Sequence, residues 1–253
     1  MEIIPDYVLK KIEELIPPKK SKVGRPRANV RNILEGILFV LRTGVQWRLL
    51  PAEFGKPSTV HGTFRRWIKL GIFEEIMRCA VGFYLENEAN TNYRLIADAS
   101  HTKAPFADWS GKNPTDRGRN GIKKMIITDA HGAPLAVTTG PSNAHDSKLL
   151  KPVIKALKKN NCTHPRVLAA DSAFDAKYLR SYCRSEGLIL IATKNKRRRK
   201  NTEKNFISWR WVIERTFGWL AWYRSLKICW CKTVESFLAM LQLASTLQLF
   251  RMS

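Results

Sequence analysis

Acid is scarce in this chain. Its 253 residues carry 44 lysines and arginines against 21 aspartates and glutamates, a formal net charge of +23. Such an excess repels itself and calls for a polyanion, with nucleic acid as the default partner. A ribosome surface or an anionic membrane surface would be the bland alternatives. Cysteine is also sparse. The five thiols (Cys79, Cys162, Cys183, Cys229 and Cys231) are odd in number and contain no CxxC pair. That excludes a disulfide framework and the usual zinc spacings, and it fits a reducing compartment. No internal repeat is present. The opening "MEIIPDYVLKKIEELIPPKK" lacks the apolar centre of a secretory signal. The most apolar run, "SFLAMLQLASTLQLF" at 236–250, is too short and too polar to span a bilayer. The expectation is a soluble, intracellular protein without a membrane partner. With 44% hydrophobic residues, the chain has enough apolar material for a sizeable core.

What is there divides into two regions. Residues 1–92 read as helical and basic. "VRNILEGILFVLRTG" sets Ile33, Leu34, Ile37, Leu38 and Leu41 on one stripe, with Gly44 as a stop. "STVHGTFRRWIKLG" offers Ser58 or Thr59 as a cap and Phe64, Trp67, Ile68 and Leu70 as buried positions. Helix, turn, then a second helix bearing Arg65, Arg66 and Lys69 outlines either a helix-turn-helix module that contacts DNA or a plain helical hairpin. "FEEIMRCAVGFYLENEAN" adds a third helix. Residues 93–253 read differently. "YRLIADAS" is a strand ending in an acid, and "KKMIITDAHGAPLAVTTG" is a hairpin. "HDSKLLKPVIKALKKN" is an amphipathic helix, "RVLAADSA" a second strand ending in an acid, "DAKYLRSYCRSEG" a helix and "LILIATK" a buried strand. The order gives an α/β fold, a mixed sheet flanked by helices.

Asp98 and Asp171 share a context: an apolar strand before, a small residue after. Sites in α/β sheets form at the carboxyl ends of strands. Two carboxylates on adjacent strands would repel unless a cation or shared proton compensates. Mg²⁺ suits a hard, all-oxygen site that also takes substrate phosphates. The alternative is that each aspartate only caps a loop. A third acid, Glu214, lies in "SWRWVIERTFGWLAWYRS", its stretch's lone carboxylate, beside Arg210, Arg215 and Arg224. Gly218 and Ala221 follow at i+4 and i+7, so small residues share its helix face and leave room for a sheet or a DNA backbone. The bland reading is a surface pair with Arg210. Three acids holding metal would support phosphoryl chemistry, one metal activating the attacking oxygen and another stabilising the leaving oxygen.

The segments "GRPRANVRNILEGILFVLRTGVQWRLLPAEFG", "IADAS", "DAHGAPLAVTTGPSNAHDSKLL", "AADSAFD" and "WVIERTFGWLAWYRSL" together resemble the DDE transposases of bacterial insertion sequences, of the insertion-sequence-five type. The resemblance implies a ribonuclease H-like catalytic core over 93–253 behind an N-terminal all-α, helix-turn-helix-like DNA-binding region over 1–92. It implies Asp98, Asp171 and Glu214 as the three acids and Mg²⁺ as the cofactor, with Mn²⁺ able to substitute. It also implies binding to double-stranded DNA at the element's terminal repeats, cleavage there, and joining of the 3′-hydroxyl ends to target DNA. The protein would act as a homo-oligomer on DNA, in the bacterial cytoplasm at the nucleoid. Rival readings are a metal-dependent nuclease that does not join ends and a transposase-derived regulator that binds without cutting. The match departs from the related Tyr-x2-Arg-x3-Glu-x6-Lys signature. Arg210 and Glu214 keep their spacing, but Ile207 replaces the tyrosine and Ala221 the lysine, with Arg224 one turn further on.

Other residues carry two readings each. Asn143 or Asp146 caps the helix after "SNAHDSKLL", or His145 and Asp146 neighbour the metal site. "DRGRNGIKK", with Arg117, Arg119, Lys123 and Lys124, is a solvated loop or a phosphate-contacting one. Lys196, Arg197, Arg198 and Arg199 form a basic run expected to contact the DNA backbone, as are Arg210 and Arg215 beside Glu214. Trp109, Trp209 and Trp211 are candidates for stacking on an unpaired base. Trp219, Trp222 and Trp230 are expected in the core.

Overall fold

The computed structural model describes residues 6–18, 27–87, 94–162, 166–192 and 207–253, the last with side chains from 210 onward. The basic run Lys196–Arg199 and the side chain of Trp209 lie outside the described residues.

Four helices come first: α1 (Asp6–Leu15), α2 (Val30–Thr43), α3 (Pro57–Lys69) and α4 (Ile72–Asn87). The stripe read from the sequence is the buried face of α2, with Ile33, Leu34, Ile37, Leu38 and Leu41 all buried. Gly44 ends that helix in the left-handed region at φ 67°, and its N–H donates to the Val40 carbonyl. Helix α3 begins at Pro57 with Lys56 in the cap position, two residues before the Ser58 cap and three before the Thr59 cap read from the sequence. Pro57 occupies the first turn, where its missing N–H costs nothing. Phe64 and Trp67 are buried, but Leu70 lies past the last turn and is exposed. Arg65, Arg66 and Lys69 are exposed. The connector between α2 and α3 spans residues 44–56 and holds two 3-10 turns, where a helix-turn-helix turn takes about three or four residues.

The remainder is one mixed sheet with its helices. β1 (Arg94–Lys103) pairs antiparallel with β3 (Asn120–Asp129), which pairs antiparallel with β4 (Pro134–Pro141) and with the short β2 (Gly111–Lys112). On its other side β1 pairs parallel with β5 (Arg166–Ala170), and β5 parallel with β6 (Leu188–Ala192). Three antiparallel strands followed by two parallel ones, reached through helices α5 (Ser147–Lys159) and α6 (Lys177–Ser185), make the ribonuclease H-like order. Helix α7 (Ile207–Ala221) packs against β1. The single turn α8 (Arg224–Lys227) and the long α9 (Val234–Met252) close the fold, α9 lying between β4 and α4.

Physical reasons explain the local outcomes. Leu149, Leu150, Val153, Ile154 and Leu157 form the buried stripe of α5, as its pattern required. The β3–β4 turn is held by Asp129, whose Oδ1 accepts from the N–H groups of His131 and Ala133 while the Tyr84 hydroxyl donates to Oδ2. That bond ties α4 to the sheet, and the buried apolar cluster runs without a break from α1 to α9. Helix α9 is buried on most sides, which is why apolar residues recur around its circumference. Two expectations about strands also fail. Strand β6 is not buried on both faces: Leu188, Leu190 and Ala192 point inward, while Ile189 and Ile191 are 64% and 45% exposed at the sheet edge. Strand β1 does not end at Asp98 but continues to Lys103, because its antiparallel pairing with β3 runs on to Lys103–Gly121.

Candidate active site

The register explains why Asp98 still behaves as a strand-end acid. Parallel pairing of β1 with β5 runs only from Arg94–Val167 to Ala97–Ala170. Asp98 and Asp171 are the next residues on two neighbouring tracks, which lie about 4.8 Å apart in a sheet. Both carboxylates therefore sit where the parallel ladder opens. Asp171 accepts from the Ala173 N–H at 2.9 Å and so caps a 3-10 turn over Ser172–Phe174. Asp98 accepts from the Ala99 N–H at 2.8 Å. Burial pushes the Asp98 carboxyl up to about 6. The charges of Asp171 and Asp146 add to the rise, while the Ala99 N–H and the Arg210 guanidinium oppose it.

Helix α7 reaches this site through the same face of β1. Ile96, two residues before Asp98 and so on its side of the sheet, packs with Val212 and Ile213. On the helix's buried side, Thr216 donates to the Gly132 carbonyl at 2.7 Å. Glu214 lies on the exposed stripe between, and the Arg210 Nε donates to its Oε1 at 2.9 Å. This is the surface pair of the bland reading, with both side chains more than half exposed. Arg210 also acts electrostatically on Asp98, so a single guanidinium faces both the helix acid and the strand acid.

Among the described residues, no three His, Cys, Asp or Glu side chains converge on a point that would hold a metal ion. Asp98 and Asp171 by themselves fit a hard divalent cation. They offer only oxygen donors, and a cation between them would compensate the burial, and to a lesser degree the Asp171 charge, that raise Asp98. Glu214 is held by Arg210 instead of meeting them.

The other sequence candidates are distributed unevenly. Asp146 occupies the cap position of α5 but makes no capping bond; its carboxylate pairs with Lys123. Lys123 also donates to the Ala144 carbonyl at 2.6 Å. Lys123 and Lys124 belong to β3 and are buried, so the phosphate-loop reading of "DRGRNGIKK" loses them; Arg117 and Arg119 are exposed in the preceding turn. Arg215 is not free for DNA in this arrangement. Its guanidinium lies 4.7 Å from both the Trp211 and Trp219 rings, and Nη2 donates to the His131 carbonyl at 2.6 Å. Trp109 is half-buried and packs on Phe237 with its indole nitrogen buried. Trp211 is exposed, Trp219 is half-buried, and Trp222 and Trp230 are 83% and 58% exposed, against their expected place in the core. No signal in periodicity marks those two, because they fall at and beyond the end of α7, where the helical repeat stops.

A family profile described as "Transposase DDE domain" matches residues 90–249. The chain belongs to the DDE transposase family. A second profile, ascribed to IS4/5-family transposases, matches residues 4–77. The chain is 36% identical over 141 residues to the transposase assigned to insertion sequence element IS402 of Burkholderia cepacia, covering 53% of this chain and 64% of that protein. It is 27% identical over 136 residues to the transposase of element IS1106 of Neisseria meningitidis serogroup B, covering 53% of this chain and 46% of that one. The chain thus spans less than two thirds of these relatives' length. Among solved structures, a piggyBac transposase synaptic complex with hairpin DNA aligns with 96% of this chain and 69% of its own, at 12% identity and a TM-score of 0.44. Among the described residues of this DDE family member, no helix is long and apolar enough to cross a membrane.

Proposed function

We propose that this protein is a DNA transposase that cuts at the ends of its insertion sequence and joins the freed 3′-hydroxyls to target DNA. The observation that carries the reading is the pairing of Asp98 and Asp171 at the opening of the β1–β5 ladder, in a family member of net charge +23. Asp98, Asp171 and Glu214 would hold divalent metal, Mg²⁺ or Mn²⁺. When bound, the metal activates the attacking oxygen and stabilises the leaving one. Before that, Arg210 occupies Glu214. A DNA phosphate is the natural competitor for this guanidinium, since arginine binds phosphate bidentately. Moving Arg210 onto the phosphate frees Glu214 to turn toward Asp98, so the third acid joins the site only when substrate is present.

Residues 1–92 are proposed as the end-recognition region, with Arg65, Arg66 and Lys69 on the exposed side of α3, and residues 93–253 as the catalytic region. Arg117 and Arg119 extend the basic surface, and Lys196–Arg199 are proposed as a further backbone contact. Pairing of two DNA ends calls for a homo-oligomer. Purified protein incubated with DNA carrying the flanking sequence of this gene, with and without Mg²⁺, tests the reading on a denaturing gel. Cuts at a repeat end with joined products support it. Cuts without joining indicate a nuclease, and binding without cuts indicates a regulator.

A further inference from the structure

The exposed stripe of α7 that bears Glu214 continues into a groove of about 690 Å³. Its floor is Gly218 and Ala221, one and two turns past Glu214. A Cβ placed at Gly218 would meet nothing within 4 Å, so no close contact at that atom explains the glycine. One side is Trp222, and the other is Trp230, on which Phe106 stacks with ring centroids 5.5 Å apart. Single exposed aromatics are ordinary, but three in one place, two of them indoles, mark a binding surface. Arg224 and Lys227 line the same groove, no carboxylate does, and neither cation forms an ion pair among the described residues.

The groove is held in shape by the turn α8. Ser225 donates to the Val40 carbonyl at 2.7 Å, which fixes the turn to α2. Thr102 and Lys124 both donate to the Leu226 carbonyl, and the Cys229 N–H donates to Lys103, which fix it to the sheet. A ligand therefore meets a preorganised wall.

We infer that this groove binds an unpaired stretch of DNA, its bases stacking on Trp222 and Trp230 and its phosphates meeting Arg224 and Lys227. Indole faces reward flat rings, and a duplex hides its ring faces inside the stack, so the pairing of indoles with unpaired cations selects a single strand. The inference rests on the transposase reading in its role, since a strand opened at the acids would run along α7 from Glu214 into this groove.

The test is metal-free and independent of cleavage. The full chain is titrated with a labelled 12-nucleotide oligothymidylate and, separately, with a blunt duplex. Trp222→Ala and Trp230→Ala are each expected to weaken the oligothymidylate about tenfold, in line with the stacking of one base. Duplex affinity stays within about twofold, as expected when no ring is exposed to stack. Melting temperature stays unchanged for Trp222→Ala because that ring is largely exposed. The double variant Arg224→Gln, Lys227→Gln should flatten the salt slope for the oligothymidylate by about 1.4. Unchanged oligothymidylate binding in both tryptophan variants, or an equal loss for duplex and single strand, overturns the inference. Absence of cleavage in the enzyme with this binding intact counts against the transposase reading alone.

Discussion

Asp98 is a carboxylate placed where its charge is unwelcome. Its pKa is raised to about 6 in the folded protein, so the fold favours the protonated form. Stability from this group is present at low pH and is lost as pH rises from about 4 through about 6. Asp98→Asn keeps an oxygen for the Ala99 N–H and removes the charge. Without metal at pH 7.5 the variant should melt higher than the wild type, by up to about 3 kcal/mol in stability, while losing cleavage. Calorimetry beside the gel assay checks both. Lys124 shows the opposite sign. Burial lowers it to about 8, so the folded chain gives up this proton before the unfolded one does. Its contribution makes stability rise with pH between about 8 and 10.4, and that rise should disappear from denaturant titrations of Lys124→Met. Neither group's environment is readable from a single sequence. Asp98 could be singled out because an acid interrupts an apolar strand. Lys124 reads as one more base in a basic loop, and only the length of β3 shows that it is buried.

Helix α7 has a buried side and an exposed side. Val212, Ile213, Thr216 and Leu220 face the sheet, while Arg210, Glu214, Gly218 and Ala221 face outward. The exposed Arg210–Glu214 pair contributes about 0.3–0.5 kcal/mol to folding. Glu214→Gln should therefore shift the melting temperature little, yet abolish cutting; cutting at wild-type rate would reduce Glu214 to a surface ion pair. Helices α2 and α5 and the β3–β4 hairpin are legible in the sequence because their apolar spacing and turn residues agree with the tertiary packing. Strand β1 is less so. Its continuation past Asp98 depends on pairing with β3 further along the chain, and pairing of that kind leaves no local mark. The same holds for Trp222 and Trp230, whose exposure is decided by how α8 docks between α2 and the sheet.

Across the whole molecule, excess positive charge and a continuous core act together. The helical region and the sheet share one buried cluster, joined by Tyr84–Asp129 and by Ser225–Val40, so a shift in one is felt by the other. With a net charge of +23, duplex binding should follow counterion release. Six to ten phosphate contacts correspond to a loss of about 10³–10⁵ in affinity between about 50 and 200 mM salt, measurable by anisotropy. The charge and the order of strands and helices point to a DNA-acting α/β protein from the sequence alone. The meeting of Asp98 and Asp171 needs the parallel register to become visible, and the engagement of Glu214 by Arg210 needs the helix in place.

The most direct measurement is strand cleavage of DNA bearing the flanking sequence of this gene, with Mg²⁺, by the wild type beside Asp171→Ala. Cleavage and end-joining by the wild type should both vanish in the variant, with duplex affinity unchanged. Cleavage that survives in Asp171→Ala would contradict the assignment of the acid pair as the catalytic centre.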